Sequence, residues 1–201
     1  MSDAILLSGG MDSIALAYWK RPILAITLDY GQLAAEAEID ASTAVAHELC
    51  MDHEIIKIDL RALGSGDMAG TNADRHAPAS DWWPYRNQML VTLAAMKAVT
   101  LGVNQLMLGM VVSDQAHRDG TVEFIDKLDV LLACQEGGLR VTAPAIGLST
   151  SELILTSRAP RSLMALAHSC HKANVPCGQC RGCNKYFETL NRLEHVAAER
   201  A

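Results

Sequence analysis

No stretch of the 201 residues is both long and apolar enough to cross a bilayer. The run "QMLVTLAAMKAVTLGV" is too short and is interrupted by Lys97. The N-terminus lacks the basic region and apolar core of a secretory leader, so no membrane partner and a cytoplasmic location are expected. An excess of basic residues is missing too. With 17 Lys and Arg against 23 Asp and Glu, the net charge of -6 gives no general footprint for long nucleic acid, although a local patch escapes such a count. Internal repeats and low-complexity tracts are also missing. Half of the residues are hydrophobic and 20% charged, which excludes a disordered chain and leaves one sizeable core.

Short apolar runs alternate with longer helical ones. Residues 4–7, 23–28, 53–58 and 105–108 read as strands, with a short extended piece at 141–142. Residues 12–19, 33–49, 86–101, 122–134, 151–156, 162–167 and 183–199 read as helices, with Asp12 near the cap of the first. This alternation predicts an α/β fold: a Rossmann-like, doubly wound parallel sheet. The expected division is a nucleotide domain over 1–160 and a helical metal-binding segment over 161–201, packed on the same domain. Residues 61–84 have no convincing period and read either as a lid or as a surface excursion. Ligands of such sheets bind beyond the carboxyl ends of the strands. The loops at 8–13, 29–32 and 110–120 are therefore expected to face one crevice.

The first of these loops carries the chemistry. "AILLSGGMDSIALAYW" runs a strand through Ser8-Gly9-Gly10 into a helix start, where free N–H groups and a partial positive charge favour an anion. A Walker loop is excluded because no lysine is present, and the dinucleotide fingerprint because only the Gly9-Gly10 pair is. The Ser8 and Ser13 hydroxyls and the amides between them suit a pyrophosphate. Asp12 cannot bind an anion directly, so its expected role is to hold Mg²⁺.

Six cysteines would suggest disulfides, but four crowd into "CHKANVPCGQCRGC". Cys170, Cys177, Cys180 and Cys183 supply the thiolates for one closed tetrahedral Zn²⁺ site, structural because no position is left open. An iron–sulfur cluster is the rival metal. His168 and His171 are expected beside the ligands rather than among them. Cys50 and Cys134 fall on expected helices, where buried thiols are expected, and a reducing compartment suits all six.

"SGGMDS" resembles the PP-loop of the N-type ATP pyrophosphatases, which split ATP between the α and β phosphates. In order along the chain stand this loop, "DYGQ" (29–32), "PYRN" (84–87), "APAIGLSTSE" (143–152) and the cysteine knot. That order resembles the 7-cyano-7-deazaguanine synthase (QueC) family over nearly the whole chain. The resemblance implies an AMP-forming C–N ligase that adenylates 7-carboxy-7-deazaguanine with ATP and Mg²⁺, uses ammonia to form an amide and activates it again to a nitrile. It also implies a structural Zn²⁺ and a homodimer. It assigns catalysis to Ser8, Asp12, Ser13 and Arg86, and nucleotide contact to the same residues with Gly9, Gly10, Met11, Asp29, Tyr30, Gln32, Asn87 and Gly109.

The departures matter. Tyr85 replaces the glycine of the family's PGRN-type turn, "AHRDGT" keeps only Asp119 of a GYPDCR-like run, and Thr150 stands where a lysine is usual. They favour a single amide ligation, with a protein amine as acceptor, as in QueC-like proteins associated with bacterial antiviral defence. Nitrile formation with ammonia, and a degenerate nucleotide-binding partner module, are the alternatives. A PP-loop enzyme thiolating tRNA would want a cysteine pair near the loop or an RNA-binding domain, and neither is visible.

Overall fold

Alternate residues along each short strand enter different cores. In the computed structural model, which describes residues 2–199, β1 (Asp3–Leu6) directs Ala4 and Leu6 to one face of the sheet and Ile5 to the other. β2 (Leu24–Asp29) does the same with Leu24, Ile26 and Leu28 against Ala25, and β4 (Gln105–Leu108) with Leu106 and Leu108 against Met107. Such period-2 burial on two faces requires cover on both. α3 (Arg86–Thr100) and α4 (Val122–Ala133) cover one face, while α1 (Met11–Lys20) and α2 (Ala35–Glu48) cover the other.

With β3 (Asp52–Lys57) and β5 (Arg140–Thr142), the sheet runs β3-β2-β1-β4-β5, all parallel. Chain order reverses between β1 and β4, which makes their carboxyl ends the switch point where doubly wound sheets bind ligands. This is the expected fold class.

α5 (Thr150–Ser157), α6 (Arg161–Met164) and α7 (Arg181–Ala198) add a further layer: α5 and α6 pack on α1, and α7 on α5. Enclosed between sheet and α5, α1 buries Ile14, Ala15, Leu16 and Ala17 completely. Burial of a side chain such as Leu16 contributes about 2 kcal/mol. A hydroxyl caps α4, where Thr121 accepts the Phe124 N–H, and Ser149 with Glu152 forms a capping box on α5. α1 has no side-chain cap. Its N-cap is Gly10, and Asp12 lies inside the first turn rather than at the cap.

Two expectations change. Cys50 and Cys134 are exposed, because they stand just past the ends of α2 and α4, where the helices have left the core. Residues 61–84 contain only a 3₁₀ turn at Arg61–Leu63, yet Trp83 is 97% buried and meets Tyr30 edge to face, with ring centroids 5.0 Å apart. The segment is therefore packed as one wall of the crevice. The outer limits expected for the two segments, residues 1 and 201, lie outside the described residues.

Tyr85 occupies the left-handed region, φ 57° and ψ 16°, at the N-cap of α3, and its ring is 78% exposed. An L-residue there costs about 1–2 kcal/mol without glycine's freedom. The exposed ring recovers little of that cost by burial. Tyr85→Gly is expected to raise Tm by about 2 °C in a thermal melt; a lower Tm would show that the ring contributes packing that outweighs the strain.

Candidate active site

The turn after β1 depends on glycine at two points. Gly9 has φ 74°, and a Cβ there would lie 2.8 Å from the Glu38 carbonyl oxygen and 2.9 Å from Ala41 Cβ. Gly109, past the end of β4, would put a Cβ 2.8 Å from Ser13 Cα. Only glycines let the two strand ends and the helix start approach this closely. Ser8 Oγ and Ser13 Oγ lie 3.2 Å apart, and the Ser13 hydroxyl is 3.0 Å from the Gly10 carbonyl. The uncapped start of α1 thus opens into a cavity of about 680 Å³.

Of the sequence-predicted residues, Ser8, Gly10, Met11, Asp12, Ser13, Tyr30, Arg86, Asn87 and Gly109 line this cavity. Gly9, Asp29 and Gln32 are not among its lining. Asp29 accepts the Gly31 N–H at 3.1 Å, and buried Gln32 accepts the Tyr30 N–H at 2.9 Å while donating to the Leu28 carbonyl and to Glu38. These two shape the loop that presents Tyr30. Burial pushes the Tyr30 phenol up, and its ring packs against Trp83.

Arg86 donates toward Met68 Sδ at 2.9 Å and Asn87 Oδ1 at 3.3 Å, and among the described residues no carboxylate forms an ion pair with it. A guanidinium in a cavity wall without an acidic partner suits an incoming anion. Asn87 is tied to Asp119 through its backbone and side-chain N–H groups, so the retained aspartate anchors the start of α3. Arg118 is exposed and does not line the cavity.

Several groups at the site were not anticipated. Lys185 Nζ lies 2.8 Å from Asp12 Oδ2 and 3.6 Å from Asp114 Oδ1. Burial lowers the ammonium, but the two carboxylates outweigh it and hold it above the ordinary lysine range. Burial pushes the Asp12 carboxyl up against the pull of Lys185. Among the described residues, buried Asp12 Oδ1 has no hydrogen-bond partner. Asp81 is 93% buried and stands within 4 Å of Arg181, His117 and His171; burial pushes its carboxyl up, but its neighbours, the Arg181 guanidinium foremost, outweigh this and lower its pKa. Glu38 borders the cavity, and burial raises its carboxyl to about 7. A signal for the α7 groups was available: Arg181, Lys185 and Glu188, beginning directly after Cys180, stand at i, i+4 and i+7, one face of a helix.

Next to the cavity, the Sγ atoms of Cys170, Cys177, Cys180 and Cys183 lie within 4.8 Å of one another, with pairs at 3.9 and 4.0 Å. A zinc ion with bonds of about 2.3 Å needs sulfurs about 3.8 Å apart. The His171 and Cys183 N–H groups point at Cys180 Sγ at 3.4 Å, and the Gln179 and Cys180 amides hold the Cys177 thiol down at about 6. N–H groups aimed at sulfur favour thiolates, as zinc requires. His168 and His171 stand beside the cluster: His168 Nε2 is 3.0 Å from the Ala173 carbonyl and its N–H donates to the Gly9 carbonyl, while His171 faces Asp81.

A parallel sheet with a glycine turn and an uncapped helix at its switch point, walled by a four-cysteine segment, defines a PP-loop-type α/β protein. The chain belongs to the QueC family, whose model, described as queuosine biosynthesis protein QueC, matches residues 3–194. Similar proteins include a 7-cyano-7-deazaguanine synthase of Desulforudis audaxviator, 29% identical over 92% of this chain and 94% of its own. Those of Laribacter hongkongensis (30%, over 89% and 85%) and Xanthomonas oryzae pv. oryzae (32%, over 89% and 88%) bear the same name.

Two outcomes are expected here. Metal analysis should find about one zinc per chain and no iron, and Cys183→Ser should lose the metal and lower Tm by about 10 °C; retention of both would remove the structural role. Because the Glu38 carboxyl titrates near 7 rather than at 4.5, its contribution to stability is complete below pH 4.5 and is lost as pH rises through 7. Glu38→Gln should therefore exceed wild type in Tm by about 5 °C at pH 8, with the gap closing at pH 4.5. A pH-independent gap would contradict the assignment.

Proposed function

We propose that the chain is an ATP-dependent enzyme that converts 7-carboxy-7-deazaguanine with ammonia to the 7-cyano product, releasing pyrophosphate and AMP at each of two activations. The observation that carries this reading is the uncapped start of α1, with the unpartnered Asp12 Oδ1 and the unpaired Arg86, facing one cavity. Relatives bearing the synthase name over about nine-tenths of the chain support it. They favour nitrile formation with ammonia over single-step ligation to a protein amine, the reading the altered 116–121 loop had suggested.

The residues fit the nucleotide and its metal. Asp12 offers Mg²⁺ a buried oxygen, Oδ1, that makes no hydrogen bond among the described residues, with Thr150 beside the carboxyl, and the four cysteines fit Zn²⁺. When bound, Mg²⁺ supplies the charge that makes pyrophosphate a better leaving group. The loop amides and the Ser8 and Ser13 hydroxyls hold the pyrophosphate, and Arg86 steadies charge growing on the transferred phosphoryl oxygens. Carboxylate attack on the α-phosphorus forms the acyl-adenylate and expels pyrophosphate; ammonia then displaces AMP. No covalent nucleophile is needed, so catalysis rests on positioning and electrostatics.

The test is a mass-resolved reaction with ATP, Mg²⁺, 7-carboxy-7-deazaguanine and ammonia. Nitrile with two AMP per product is expected. Asp12→Ala should cut AMP formation by about 100-fold or more with an unchanged melt. Amide without nitrile would make the chain an amide ligase, and no AMP would make it a binding module.

A further inference from the structure

Two carboxylates converge on one ammonium beside the anion loop. Lys185 Nζ meets Asp12 Oδ2 at 2.8 Å and Asp114 Oδ1 at 3.6 Å, while Asp114 is held from behind by the Val111 N–H at 2.9 Å. One positive charge thus faces two negative ones, and among the described residues Asp12 Oδ1 makes no hydrogen bond, with only the neutral Thr150 side chain beside the carboxyl apart from these charges. A finished structural bridge would satisfy both oxygens. This one is short of positive charge on the side where Ser8, Ser13 and Lys185 border the same cavity. The lysine also arrives from a remote element, since α7 begins at the N-cap Cys180, one of the four clustered cysteines.

Resting on the nucleotide reading above, we propose that Lys185 is a two-position cation. In the nucleotide-free protein it covers Asp12; with Mg²⁺ and ATP present it turns to the pyrophosphate oxygens. A lysine suits this role because it is a compact point charge on a flexible stem, whereas an arginine fork would stay locked to its carboxylate. Asp12 and Asp114 keep the ammonium at the loop and prevent it from swinging into solvent. The role differs from a plain salt bridge in its sign: removing the lysine frees Asp12 for a divalent cation while depriving pyrophosphate of a donor.

The experiment compares zinc-loaded wild type with Lys185→Met in two titrations. One follows Mn²⁺ binding by electron paramagnetic resonance without nucleotide; the other follows magnesium pyrophosphate binding by calorimetry. Lys185→Met is expected to bind Mn²⁺ about tenfold more tightly and pyrophosphate about tenfold more weakly. Weakening of both, or pyrophosphate affinity equal to wild type, overturns the proposal. If the methionine variant lost its zinc, Asp114→Asn carries the test. It loosens one hold on the ammonium and should bind pyrophosphate about threefold more tightly; weaker binding overturns the proposal. Wild type that failed to bind a non-hydrolysable ATP analogue would remove the nucleotide reading as well, whereas equal analogue binding by wild type and Lys185→Met would remove this proposal alone.

Discussion

Four sulfur atoms within 4.8 Å of one another order a stretch that no helix or strand orders. Residues 165–180 lie between α6 and α7 without regular structure, and much of the crevice is tied to them. The His168 N–H donates to the Gly9 carbonyl in the anion loop. Lys172 pairs with Asp67 at 3.1 Å, and Asn174 reaches Glu36 and the Ala37 N–H on α2. His171 faces Asp81 in the wall formed by residues 61–84. Four thiolates this close would need a cation among them, so a metal bound here would set the position of everything fastened to this segment. A small apolar core could not do the same, since among the described residues only Ala173 packs against the buried cysteines as a partly buried hydrophobic.

The cavity is an electrostatic compromise. Asp12, Glu38, Asp81 and Asp114 border it together with Arg86, Arg181 and Lys185. At an effective dielectric of about 20, the 2.8 Å pair of Lys185 and Asp12 gains roughly 6 kcal/mol of Coulomb energy. Desolvating both ions removes most of it, so such a pair is weak as a stability device. Its value lies in charge placement. Arg181 is occupied by Asp81 and by His117 at 2.8 Å, Lys185 by two aspartates, and Arg86 by neither. At the proposed site a polyanion would meet one guanidinium without a carboxylate partner, the Lys185 ammonium and the amides of an uncapped helix start.

Where information is local, the sequence carried it. The strands at residues 105–108 and 23–28 and the helices at 86–101 and 122–134 are legible because burial follows their own periods, with ends shifted by a residue or so. The turn after β1 is legible because the glycine pair and the flanking apolar runs are contiguous, and the cysteine cluster because its spacing is short. Lys185 was hidden because its partner stands 173 residues earlier, and Asp81 because its partners come from the 110–120 loop and α7. Gln32, expected at the nucleotide, braces the loop from within, because a polar side chain after a strand signals a ligand contact and an internal loop brace equally well. Cys50 and Cys134 were misread as buried because a thiol just beyond a helix end looks, in sequence, like one within it.

The departures from the family pattern take on a physical meaning once the fold is assembled. The resemblance led to the expectation of a cation at Thr150, the first residue of α5. That threonine is buried against Asp12 and carries no charge. Lys185 supplies an ammonium to the same carboxylate from α7. The 116–121 loop likewise keeps none of the expected tyrosine, cysteine or arginine, yet Arg181 of α7 reaches it, bonding His117 and approaching the Ser113 carbonyl at 3.4 Å. In both places a group missing from one segment has a counterpart of similar charge delivered by the helix that the cysteines hold. An anion responds to the field at the loop, whatever the chain position of the residues that create it. Both deliveries come from one helix face: a single element that begins beside the clustered cysteines brings a cation to each of the two segments.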